Sequence, residues 1–132
     1  MRVVVDTSVL VSALLSTSGP PAQVLAAAAT RSIEIVTCPR ALEELSDTLM
    51  REKFRRWVDE PTAKEFVTAF AHLADLCQDV EPQTSHTRDP NDDYLVALAH
   101  AQNARIVSGD RDILEAQLDP PALTPRKFLE LL

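Results

Sequence analysis

The sequence predicts an α/β fold with three layers: a central parallel sheet of four to five strands between two layers of helices. Three observations carry that prediction. Short β-branched runs alternate with helix-periodic segments along the chain, the order that yields a parallel sheet covered on both faces. Acidic residues fall directly after the strand-like runs, at the sheet edge where such folds build their sites. The chain has 132 residues with neither repeat nor low-complexity linker, so residues 1–132 are expected to form one domain with its own core.

The elements follow in order. Val3-Val4-Val5 reads as a buried strand that stops at Asp6. Residues 8–15 and 22–29 read as helices, separated by Pro20-Pro21, where Pro21 can sit at a first helical position. Ile33 to Thr37 is the second strand, and Pro39 opens a helix with Leu42, Leu45 and Leu49 along one face. A longer helix follows Pro61, and its stripe of Phe66, Phe70, Leu73, Ala74 and Cys77 has the spacing of a core-facing surface. Pro90 opens the next helix, with Asp89 as its N-cap and Asp92 as the capping-box partner; it carries Leu95, Val96, Leu98 and Ala99 and ends near Asn103. Arg105 to Ser108 is the third strand and runs into Gly109-Asp110. A last short strand near Leu123 leads to Pro125 and a closing helix through Leu132.

Composition excludes several classes. Hydrophobic residues make up 45% and charged residues 25%, so a disordered chain is not expected. No stretch approaches the length of a membrane span, and the MRVVVD start is not a signal peptide. Cys38 and Cys77 lie in no Cys-x-x-Cys or Cys/His cluster and read as structural thiols. A cytoplasmic location is the expectation that follows. The net charge of -7 is unusual for a nucleic-acid binder, because phosphate contacts favour basic surfaces.

That negative charge is concentrated where chemistry is expected. Asp6 ends the first strand and Asp110 lies just past the third. Asp92 and Asp93 sit in the first turn of the helix feeding that strand, Glu43 and Glu44 lie one turn into the helix after the second, and Asp112 follows Asp110 by two residues. Acids from four segments thus reach one rim. An acid ending a buried apolar strand has little structural reason to exist. Crowded carboxylates repel one another unless a cation sits among them. Oxygen-only ligands suit Mg2+ or Mn2+, either of which can activate water for displacement at phosphorus. The histidines fit this set poorly: His100 lies about 10 Å along the helix from Asp93, and His72 and His86 lack acidic partners at ligand spacing.

Elsewhere, Arg51, Lys53, Arg55 and Arg56 put four bases in six residues beside Trp57. Such a patch could guide a phosphate backbone or stack a base of single-stranded RNA; its plain alternative is a solvated helix end.

The segments VVVDTSVLVSALL, RALEELSDTLMREKF, RDPNDDYLVALA, RIVSGDRDIL and LTPRKFLELL, taken in order, resemble the PIN domain, most of all the bacterial subgroup of VapC-like toxins from toxin–antitoxin pairs. The resemblance spans nearly the whole chain. It implies a metal-dependent ribonuclease whose four catalytic acids fall on Asp6, Glu44, Asp92 and Asp110, with Mg2+ or Mn2+ held by Asp6, Asp92 and Asp110. Ser8, with Thr7, completes the first motif, Ser108 takes the hydroxyl position before the fourth acid, and Asp93 and Asp112 are accessory acids. It also implies an antitoxin partner that covers the site, and a homodimer.

Other acid-rimmed sheets fit less well. A receiver domain needs paired acids after the first strand, where Thr7 follows Asp6, and a haloacid-dehalogenase phosphatase needs an acid where Ser8 stands. The alternative from another class is a PIN-like module that has lost catalysis and only binds RNA or protein.

Overall fold

The computed structural model describes residues 1–82 and 92–132; the expected roles of His86, Asp89 and Pro90 lie outside the described residues. β1 (Arg2–Val5) occupies an interior position of a four-stranded sheet. β2 (Glu34–Thr37) and β4 (Arg105–Val107) flank it, β3 (Asp75–Leu76) lies beyond β2, and every pairing is parallel. The order is therefore β3-β2-β1-β4. The segment near Leu123, expected to be a strand, contributes only a bridge to Val107. Ser108 N–H donates to Leu123 O and Leu123 N–H to Ile106 O, both at 2.9 Å.

Alternation along β1 makes the three layers. Val3 and Val5 face one way and join Ile35 and Val107 beneath α1 (Thr7–Leu15), α2 (Pro20–Ala29), α3 (Pro39–Leu49), α4 (Glu60–Leu73) and α7 (Pro125–Leu129). Val4 faces the other way and joins Val36 and Ile106 beneath α5 (Asp93–Ala101) and α6 (Arg111–Leu114). Each of these valines is at most 5% exposed, and burying one contributes about 1.5–3 kcal/mol. A sheet covered on both faces leaves its strand ends as the place where polar groups can gather.

Helix ends follow local chemistry. α2 starts at Pro20, two residues ahead of expectation, with Gly19 as N-cap. It stops at Arg31, whose φ of 64° is left-handed; Ser32 N–H reaches back to Ala27 O and Arg31 N–H to Ala28 O, the paired bonds of a Schellman stop. α5 ends the same way at Asn103, φ 53°, with Ala104 N–H on Ala99 O. α4 departs from expectation. Ala74 is already extended, and Asp75–Leu76 pairs with β2, so Cys77 is not on the helical stripe. Its N–H donates to Thr37 O at 2.8 Å. Pairing along β2 satisfies backbone groups that another helical turn would have left unpaired. Among the described residues no single helix is long and apolar enough to cross a membrane.

Candidate active site

Asp6 leaves β1 as the N-cap residue of α1, yet its side chain makes no cap hydrogen bond. Its Oδ2 instead accepts from Ser8 Oγ at 3.1 Å and from Ser108 Oγ, just past β4, at 2.8 Å. Asp6 is 6% exposed and Ser108 fully buried. Burial pushes the Asp6 carboxyl above its ordinary range; the two serine hydroxyls pull it down and the charge of Glu44 pushes it up, with a net upward result. A carboxylate whose charged form is disfavoured by burial, one strand end from a second acid, is the arrangement found at functional sites more than in frameworks.

Ser108 also ties in the fourth acid. Its Oγ accepts from Asp110 N–H at 2.9 Å. Asp110 in turn caps α6, its Oδ1 accepting from Asp112 N–H at 2.9 Å. Asp110 therefore has a structural duty beside any chemical one.

Glu44, on α3, has Oε2 bonded by the Tyr94 hydroxyl. Burial, and then the bond to Glu44, raise the Tyr94 phenol well above its ordinary value, so it stays a donor at neutral pH. Asp92 stands immediately before α5 and Asp93 is its first residue, 4% exposed.

One cleft of about 430 Å³ is lined by Asp6, Glu44, Asp92 and Asp110, together with Ser8, Arg51 and Lys53. Four acids from separate segments thus line one cleft. Glu43, one residue away, lines a neighbouring groove with Arg40 and Asp47. Asp93, Asp112 and Ser108 are not on the cleft wall. A larger, mostly apolar hollow of about 680 Å³ adjoins the cleft, shares Ser8 and Asp110 with it, and is walled by Val9, Pro20, Pro21 and Pro125; the charges gather in the smaller space.

The four bases divide. Arg51 and Lys53 face the cleft. Arg55 turns inward: its Nη2 donates to Leu49 O at the end of α3, while Nε and Nη1 are buried without hydrogen-bond partners. Arg56 lies over the Trp57 ring, 5.4 Å from its centroid, and Trp57 is 63% exposed.

The donors suit a hard divalent cation in type, since they are carboxylates lining one cleft, among them a buried acid whose charge a cation would relieve. As the side chains stand, no three His, Cys, Asp or Glu of the described residues converge to hold an ion.

The residue that sequence reasoning did not single out is Tyr94. The available signal was that the chain's one tyrosine lies among apolar residues of α5, where a buried hydroxyl needs an acceptor.

A parallel sheet whose strand ends carry acids along one cleft defines an α/β protein of the acid-rimmed kind, and comparison with known proteins specifies which. The PIN domain model matches residues 2–112, and the chain belongs to that family. The uncharacterized protein MJ1680 of Methanocaldococcus jannaschii is 27% identical over 143 residues, covering 98% of this chain and 90% of the relative. The fold is shared with PAE2754 from Pyrobaculum aerophilum, at a TM-score of 0.70 and 15% identity over 99% of this chain and 89% of that one. It is also shared with VapBC2 from Rickettsia felis, a structure bound to a DNA fragment from their promoter, at a TM-score of 0.66 and 15% identity over 89% and 94% of the two chains.

Proposed function

We propose that this chain is a metal-dependent endoribonuclease, one domain over residues 1–132, acting in the cytoplasm as the toxin of a toxin–antitoxin pair. The single observation that carries the reading is the one cleft that Asp6, Glu44, Asp92 and Asp110 all line, together with Arg51 and Lys53. Asp6, Asp92 and Asp110 would hold Mg2+ or Mn2+. When bound, such an ion supplies charge neutralisation at a phosphodiester and a water of lowered pKa. Ser8 and Ser108 hold Asp6 in place, and Glu44 orients the attacking water. Asp93 and Asp112 support the set from outside the cleft wall. Arg51 and Lys53 bind the phosphate backbone of single-stranded RNA. This placement reconciles an acidic chain with an anionic substrate, because two cations stand where the backbone must pass.

A labelled single-stranded RNA incubated with Mg2+ or Mn2+, beside EDTA and beside Asp6→Asn, tests the reading. Cleavage is expected only from the unaltered protein with metal. Absence of cleavage in every metal would refute it.

A second reading, a PIN-like module that binds without cutting, is favoured by one observation: among the described residues no three acids converge on a point. It predicts RNA or protein binding that is indifferent to EDTA. An antitoxin partner and a homodimer belong to the first reading. The support for a partner is family membership, the likeness to a VapBC complex and the negative wall that a partner's Arg or Lys would complement.

A further inference from the structure

We propose that Tyr94 is a positioning residue for Glu44, fixing which carboxylate oxygen the cleft receives. The inference rests on the reading that Glu44 acts in the cleft. Tyr94 is the second residue of α5, 4% exposed, with its ring in the core on the α5 face of the sheet. Its hydroxyl crosses to α3 and donates to Glu44 Oε2, a contact between residues 50 apart in the chain. The Arg40 guanidinium lies over the ring, 4.3 Å from its centroid. The phenol is thus held by core packing and by a cation on its face, and it has only two side-chain torsions to fix.

Glu44 is different. It is a long side chain at the mouth of two open grooves, since it borders both the acid cleft and the hollow beside Arg40 and Asp47. Left alone, its carboxylate could turn toward either. The bond from Tyr94 restricts that choice, taking Oε2 and leaving Oε1 for work in the cleft. The same turn of chain that brings Asp92 to the cleft also carries the phenol, so Asp92 and Glu44 are both placed from the start of α5. The purely structural account is that a buried phenol needs any acceptor. It does not explain why the acceptor is an acid lining the cleft with Asp6, when a backbone carbonyl would have served.

Tyr94→Phe removes only the donor and keeps the ring beneath Arg40. If Tyr94 positions Glu44, kcat for single-stranded RNA falls about 10- to 100-fold, the range that a misplaced catalytic group costs, while KM stays unchanged. In a Glu44→Gln background the same change adds less than about twofold, because two groups acting as one unit are not additive. Thermal unfolding of the four proteins in EDTA reads the hydrogen bond independently of activity, as a melting temperature for the double variant that the two single shifts do not sum to. A Tyr94→Phe protein within about twofold of the normal kcat overturns the proposal. So does a loss of equal size in both backgrounds, the mark of a general structural role. If the unaltered protein cleaves no RNA with either metal, the nuclease reading fails and takes the positioning role with it, a result seen before any Tyr94 variant is assayed.

Discussion

Replacing Asp6 by Asn separates a functional acid from a structural one. The change keeps the shape of the side chain and makes it permanently neutral. Two contacts oppose it: the Ser8 and Ser108 hydroxyls at 3.1 and 2.8 Å would bond an amide oxygen instead of a carboxylate, costing about 1 kcal/mol each. Two effects favour it, namely relief of the desolvated charge and of repulsion by Glu44. The net direction is legible, because the folded carboxyl lies above its unfolded value of 3.8, with burial the largest cause. A raised folded value means a contribution to stability that is full below pH 3.8 and lost as pH rises through the folded value. Burying the charge therefore costs stability as pH rises, and a neutral isostere removes that cost. Asp6→Asn should melt at or above the normal protein in EDTA at pH 7, and its advantage should shrink toward pH 4. With Mg2+ at about ten times its Kd, the normal protein gains roughly 1.4 kcal/mol, or about 4–7 °C, and the variant should lose most of that rise. Melting curves with and without Mg2+ at two pH values measure all of this. If the hydrogen bonds governed instead, the variant would drop by about 2 kcal/mol, roughly 6–10 °C, with the metal effect intact, and that result refutes the reasoning.

Further predictions concern the rest of the surface and the fold. Changing Arg51 and Lys53 together to Ala should weaken RNA binding and flatten its salt dependence by up to about two units of slope, whereas Arg55→Ala should leave the slope alone and lower the melting temperature, since Arg55 closes the end of α3; equal slopes for the double variant and the normal protein would remove the phosphate role. A bound antitoxin segment should lie across the cleft with an Arg or Lys among the carboxylates, and a complex leaving Asp6, Asp92 and Asp110 open to solvent would count against it. Arg31→Gly should raise stability by about 1 kcal/mol, some 3–5 °C, by relieving a left-handed non-glycine residue; calorimetry showing a loss instead would mean that the Arg31 side chain contributes more than its backbone costs.

What could be read from the sequence, and what could not, follows the range of the interactions involved. Val3-Val4-Val5 running into Asp6 is a local pattern, and it predicts both the interior strand and the acid at its end. The proline starts at Pro39 and Pro125 and the stop near Asn103 are equally local. β3 escaped notice because two residues carry no periodicity and the stripe from Phe66 continues in register to Cys77; the strand exists only through long-range pairing of Asp75 and Leu76 with Val36 and Thr37, extended by the bond from Cys77 N–H to Thr37 O. Glu43 and Glu44 are adjacent in a helix, so spacing cannot choose between them, but about 100° of rotation leaves Glu43 on the neighbouring groove alone while Glu44 also reaches the acid cleft. The four bases look alike in one dimension, and packing against Leu49 O takes Arg55 out of the set. Asp110 reads as an acid past a strand, and its additional work as the cap of α6 depends on a four-residue helix too short to announce itself.

The single proton of the Ser108 hydroxyl gives the strand ends a direction. Because Ser108 Oγ accepts from the Asp110 amide, its own hydrogen is committed to Asp6 Oδ2. The Ser8 hydroxyl reaches the same oxygen. With two donors converging on Oδ2, that oxygen is closed to a third positive centre, and the two oxygens of Asp6 are no longer equivalent. Whatever neutralises the buried carboxylate, a proton at low pH or a cation in the cleft, is steered to Oδ1. A metal ion there would compete with a proton for that atom, so acidification should weaken metal binding at this centre.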